Sequence, residues 1–326
     1  MQISMTTLND SKKKVGDLLN ETNQNNYPFY YLKNGERKRV LTFIDDDGGP
    51  FVLSQFDTPE GNFPGFWLSR DKNGKMDSVN PGVIDQIKTK YPNLNFKMGF
   101  AIITGFSGIP GSDPKNPDSS TYKYPYLPLN KIKDLQNKYN NEIYSHTVNH
   151  ANANANEQKE TTKTLSEEYR NSREWLLFNG FSANSNILVY PGGLEPTKPI
   201  SFDSAIKIAK EYYDYAVNTE LSDTFEPTMA DPKWTLRRID FDKLTKEKIE
   251  EIIEKSTVSH PHGWFIAMTH AYNVSNDQHD PLPDAKFEMV KFKEKQNKIL
   301  AMVDYCVEQN IDILPFSEAI KHYLPL

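Results

Sequence analysis

From Val40 onward, short β-prone runs alternate with longer helical patterns, and no other feature constrains the fold of this chain as much. The runs are "RVLTFI", "FKMGFAII", "NEIYS", "NILVY", "DYAVN", "TLRRIDF", "WFIAMTH" and "IDILPF". Helical patterns lie between them at about 80–91, 129–139, 157–179, 202–212, 245–255 and 287–309. In the fifth, Thr245 is placed to cap the helix, and Ile249, Ile252 and Ile253 fall on one face. Seven or eight strands in series, each followed by a helix, predict an α/β fold of the (β/α) barrel type. Such a barrel gathers its chemistry on the loops after the strands' C-terminal ends. The unusual polar residues of the chain do follow strands: Asp45 to Asp47, His146 and His150, Pro191 to Gly193, and His270.

The chain has 326 residues, 37% of them hydrophobic, which is enough for a substantial core. A formal charge of −6 gives no broad basic field, so nucleic acid is not the expected partner. The lone Cys306 excludes an intramolecular disulfide and leaves the compartment open. No apolar run approaches the roughly 18 residues of a membrane span, and the start "MQISMTTLNDSKKKVGDLLNE" lacks the apolar centre of a signal peptide. Residues 1–38 are polar and Asn-rich and read as an extension or connector to the domain at 39–326. The Gly, Pro and Ser content of about 104–128 marks an inserted loop, a binding lid or a surface insertion.

Three adjacent carboxylates in "LTFIDDDGGP" repel one another, so a cation or a proton is expected among them. An EF-hand is not the answer, because Gly49 stands where its third ligand belongs. In "SHTVNH", His146 and His150 are four apart, a spacing that brings two imidazoles to one face if the chain turns helically there. Solvated or capping histidines compete with a metal reading until the Asp cluster is counted. An Asp-His-His set leaves coordination positions for water and substrate, as catalytic sites do. His260 and His262 in "SHPHGW" read as loop decoration, and so does His279.

These stretches together resemble the polysaccharide deacetylase family, the NodB-homology domain of carbohydrate esterase family 4. "TFIDDDGG", "HTVNH", "VYPGG" and "FIAMTH" follow the order of that family's motifs, and the resemblance covers roughly Val40 to Pro325. It implies a distorted seven-stranded barrel and a divalent ion, zinc for a His-rich ligand set. Aligned from the glycine, Asp47, His146 and His150 are implied as metal ligands and Asp46 as the catalytic base, with Asp45 the extra residue. A register shifted by one would make Asp45 the base. His270 matches the general acid, and Gly192 the backbone donor to the oxyanion. Tyr190 and Pro191 match a wall of the groove.

Two departures stand beside the matches. Val189 occupies the place of an Arg that orients the base, and Arg237 or Arg238 is a candidate to replace it, against the plainer reading of surface charges. The Asp and Trp that buttress the acidic His have only a weak counterpart in Asp231 and Trp234. The resemblance implies a hydrolase removing acetyl groups from an amino-sugar polysaccharide of cell-wall, capsule or biofilm type. The alternatives are a carbohydrate-binding module that has lost turnover and an amidohydrolase of a small amide. The polar extension adds the expectation of attachment to a larger surface or phage tail assembly.

Overall fold

The computed structural model describes residues 31–33, 36–49, 51–58, 61–106, 126–151, 162–193, 200–218, 232–259, 263–271 and 288–323. The main sheet consists of β1 (Val40–Asp45), β2 (Gly99–Ile102), β3 (Glu142–Ser145), β4 (Ile187–Val189), β5 (Tyr215–Val217), β6 (Ile239–Asp240), β7 (Trp264–Thr269) and β8 (Asp312–Ile313). In space they run β6-β7-β1-β2-β3-β4-β5, and β8 is added on β1. Every pairing is parallel. β7 takes one edge of β1 along its whole length, while β8 and β2 share the other edge, β8 at Val40 and Leu41 and β2 at Ile44 and Asp45.

One short stretch ties the two ends of the sheet together. Leu236 bridges Val217 of β5, and the Asn218 N–H donates to the Leu236 carbonyl at 2.6 Å. Three residues on, Ile239 and Asp240 pair with Ala267 and Met268 of β7. The result is a distorted (β/α) barrel, and each expected β-prone run supplies one of its strands. Outside the barrel lie α1 (Val83–Lys90), α2 (Leu129–Asn137), α3 (Thr162–Phe178), α4 (Phe202–Tyr212), α5 (Lys246–Ser259) and α6 (Met289–Glu308), and the chain ends in α7 (Phe316–Tyr323). Thr245 caps α5 as expected, its Oγ accepting the Lys248 N–H at 3.2 Å. Ile249, Ile252 and Ile253 are buried.

α7 is a helix the sequence patterns did not suggest, and it plugs the barrel. Phe316, Ala319 and Ile320 enter the inner core, where the Phe316 ring lies 5.3 Å from Trp264 and 6.0 Å from Tyr144. Two small hairpins, Tyr31–Lys33 with Glu36–Lys38 and Gln55–Thr58 with Gly61–Phe63, were also not foreseen. Residues 1–30 of the expected extension and 107–125 of the expected insertion lie outside the described residues. Among the described residues, no helix is long and apolar enough to cross a membrane.

The period-2 alternation of the strands decides what reaches the barrel's mouth. Val40 and Ile44 of β1, Tyr144 of β3, Ile187 and Val189 of β4, and Trp264 and Ile266 of β7 share the inner cluster. Leu41, Phe43, Ile143, Phe265 and Ala267 instead join the cluster beneath the helices. Continuing each strand by its own register sends Asp46, His146 and His270 to the inner side. Asp45 goes to the outer side.

Candidate active site

Asp46 and Asp47 follow β1, His146 and His150 follow β3, and His270 follows β7, so all five stand at the C-terminal end of the parallel sheet. The three aspartates diverge at once. Asp45, on the helix side, accepts the Trp67 Nε1–H at 2.7 Å, and its other oxygen is buried without a hydrogen bond. Burial lifts this carboxyl well above the usual carboxylate range, against the opposing pull of Trp67 and Lys295. Asp46 turns inward and forms a buried ion pair with Arg238, Nη1 to Oδ1 at 2.6 Å. Arg238 is itself anchored by donating from Nε to the Asn218 carbonyl at 3.2 Å. The guanidinium enters from the stretch that closes the barrel and stands on Asp46 where the sequence offered Val189 for Arg.

Asp47 is carried round by a turn in which it and Gly48 both have left-handed backbone, φ 74° and 63°. Glycine suits position 48 because of that left-handed backbone, and a Cβ there would also lie 2.5 Å from Ile102 Cδ1, whose side chain would have to move. The turn aims Asp47 Oδ1 at His146 Nε2, 3.1 Å away, and at His150 Nε2, 3.3 Å away. The three groups form a cluster whose ligand atoms all lie within 4.8 Å of one another.

The donor chemistry of this cluster fits a cation. His146 Nδ1 lies 2.8 Å from the Val189 carbonyl, which can only accept, so Nδ1 carries the proton. In the neutral imidazole, Nε2 then presents a lone pair to a carboxylate oxygen that is buried and receives no hydrogen bond. Two acceptors face each other, and a divalent ion between them resolves the conflict as a proton-poor ligand set requires. Burial pushes the Asp47 carboxyl up, but His150 and His146 in their protonated form, standing in for a cation, outweigh it and hold the carboxyl well below its usual range. Val189 thus contributes a carbonyl that fixes the His146 tautomer.

His270 is backed by a residue that the motif search missed. Its Nδ1 is 2.7 Å from Asp242 Oδ2, and Asp242 Oδ1 also takes Lys295 Nζ at 2.5 Å and the Thr269 hydroxyl at 3.2 Å. Burial would lower the imidazole's pKa, yet the Asp242 carboxylate, with smaller contributions from the Asp47 and Asp46 charges, raises it to about 9. Asp242 is held below its usual range by Lys295 and His270 despite its burial. Of the weak buttress candidates, Trp234 donates to the Tyr213 carbonyl at 3.2 Å and lies under Lys210, while Asp231 is outside the described residues. Asp242 sits two residues past β6 in "RRIDFDK", and the alternation of Asp240 and Asp242 was the available signal.

After β4, Tyr190 and Pro191 are buried, with the Tyr190 ring 6.2 Å from Tyr169, and Gly192 is exposed with φ 63°. His260, His262 and His279 lie outside the described residues.

No protein-family model and no curated protein matches the chain. Among solved structures, it is similar to a family 4 acetyl xylan esterase from Clostridium thermocellum in complex with a cobalt ion, at 12% identity over 88% of this chain and 100% of that one, with a TM-score of 0.39. A polysaccharide deacetylase from Bacillus cereus is 14% identical over 66% of this chain and 69% of that one, with a TM-score of 0.39. An allantoinase is 9% identical over 87% of this chain and 89% of that one, with a TM-score of 0.44. Likeness at this level assigns no residue role and no substrate.

Proposed function

We propose that this protein is a metal-dependent hydrolase that removes acetyl groups from an acetylated amino-sugar polysaccharide of cell-wall, capsule or biofilm type. The observation that carries the reading is a proton-poor Asp47-His146-His150 cluster at the same barrel end as an Arg-paired carboxylate and a carboxylate-backed imidazole. Asp47, His146 and His150 would hold the ion, and zinc suits two imidazoles and one carboxylate. When bound, such an ion supplies Lewis acidity, polarising a carbonyl and acidifying water.

The remaining chemistry belongs to side chains. Asp46, fixed by Arg238, takes a proton from the attacking water. His270, protonated through neutral pH because Asp242 raises it to about 9, returns a proton to the departing amine or alcohol. The products are acetate and the free amino or hydroxyl group of the sugar. The exposed Gly192 offers its N–H to the oxyanion. Val189 and the weak buttress favoured a binding module in the sequence, and Arg238 on Asp46 with Asp242 on His270 support the catalytic reading instead. Hydrolysis of a small amide would use the same groups and differs only in substrate.

Acetate release from N-acetylglucosamine oligomers and from cell-wall preparations tests the proposal, using purified, chelated and zinc-restored protein. Release that chelation abolishes and zinc restores is expected. Zinc-loaded protein that releases no acetate from either contradicts the deacetylase assignment.

A further inference from the structure

The loop between the two histidine ligands is backbone-strained. Five non-glycine residues among those described have positive φ: Asp47, Asn140, Thr147, His150 and Asn310. Asn and Asp tolerate that region through their short polar side chains and His is also enriched in it, whereas a β-branched residue there is an outlier. Three of the five, Asp47, His150 and the β-branched Thr147, at 74°, 56° and 64°, lie at the proposed ligand cluster. Residues in such a conformation cost about 1–3 kcal/mol each and persist only where surrounding contacts enforce them.

Those contacts come from both sides. On one flank the end of β2 and its following turn hold the loop through backbone bonds: His146 N–H to the Ile102 carbonyl at 3.0 Å, Thr104 N–H to Thr147 at 3.0 Å and Gly105 N–H to Val148 at 2.8 Å. Within the loop, the Thr147 hydroxyl accepts the Ala151 N–H at 2.8 Å. On the other flank, among the described residues, stands the side chain of Glu168 on α3. Its Oε2 accepts the N–H groups of Val148 and Asn149 at 2.9 and 2.8 Å, and its Oε1 accepts the Asn149 amide at 2.6 Å. Glu168 is one turn before Ser172, whose hydroxyl meets that of Ser145 at 2.8 Å, so one face of α3 grips the strand end and the loop that follows it.

We propose that Glu168 is a positioning residue for the metal centre: by clamping Val148 and Asn149 it holds His146 and His150 in the geometry that converges on Asp47. The proposal rests on the metal reading above. Zinc affinity, measured by competition with a chromophoric chelator, tests it independently of turnover in the wild type, Glu168→Ala, Glu168→Gln and Asn149→Ala, with circular dichroism and thermal melting of each. The expected result is a loss of about 10- to 100-fold in affinity for Glu168→Ala, the range seen when outer partners of metal ligands are removed. Glu168→Gln, which keeps an acceptor for the backbone N–H groups, and Asn149→Ala, which loses one bond, should fall in between. The visible absorption of the cobalt(II)-loaded variants should shift in the same order. If Glu168→Ala does not fold, the two milder variants carry the test. Folded variants that bind zinc as the wild type does, whatever their melting temperature, overturn the clamp alone. A wild type that binds no zinc overturns the metal reading and the clamp with it.

Discussion

At the scale of single residues, the pairing of Asp242 with His270 has a sign that experiment can read. The imidazole's folded value of about 9 lies above its ordinary 6.5. The charged pair therefore stabilises the folded protein fully below 6.5 and loses that contribution as pH rises through about 9. An acid raised chiefly by Asp242 predicts a kcat profile whose basic limb lies above the ordinary 6.5, below pH 9 by the share that Asp47 contributes. Asp242→Asn removes the carboxylate, leaves burial as the dominant influence, and should move that limb down by about two pH units or more, read from a kcat profile. A limb that stays in place would remove His270 from the proton inventory. Metal loading acts in the same direction: Asp47 contributes to the raised value, and an ion that neutralises Asp47 should lower the His270 midpoint in an NMR titration relative to chelated protein.

At the scale of elements, the two-residue strand β6 and its flanks do more than their length suggests. Arg238 just before it and Asp242 just after it reach Asp46 and His270 respectively. Replacing Arg238 by Met leaves Asp46 as an uncompensated buried charge, a change that destabilises buried pairs by about 3–5 kcal/mol. Denaturant unfolding should show that loss, and turnover should fall by about 100-fold through lost positioning. Arg238→Lys keeps the charge without the fork and should recover part of both. Unchanged turnover in a folded Arg238→Met protein would detach Asp46 from catalysis. These contacts also mark where sequence reading stops. The ion pair joins residues 192 apart, and the partner of His270 is 28 residues away. Neither pairing has a local period, since both exist only because the barrel closes through 236–240.

At the scale of the whole molecule, what repeats locally was legible. β-prone runs alternating with helical patterns, the cap at Thr245 and polar residues after strands announced a barrel with its chemistry at one end, and His146 and His150 were visible as a pair. The alternation of inner and outer cores then separates Asp45, bound to Trp67, from Asp46, a distinction that three identical letters in a row do not carry. α7 went unread because eight residues give little period, although Phe316 anchors the inner core. The outer core is equally testable. Phe292 of α6 is fully buried with its ring 5.5 Å from Phe66, and Phe292→Ala should cost about 3–5 kcal/mol in denaturant unfolding. A cost below about 1 kcal/mol would show that α6 is not packed as described.

The most direct test of the central claim is the zinc content of the wild type, Asp47→Ala and Asp46→Asn proteins, measured on the samples assayed for acetate release. One equivalent of zinc in the wild type, none in Asp47→Ala, and zinc without turnover in Asp46→Asn are predicted, because Asp47 faces the two imidazoles and Asp46 faces Arg238. A wild type free of zinc after reconstitution, or an Asp46→Asn protein as active as its parent, would contradict the account.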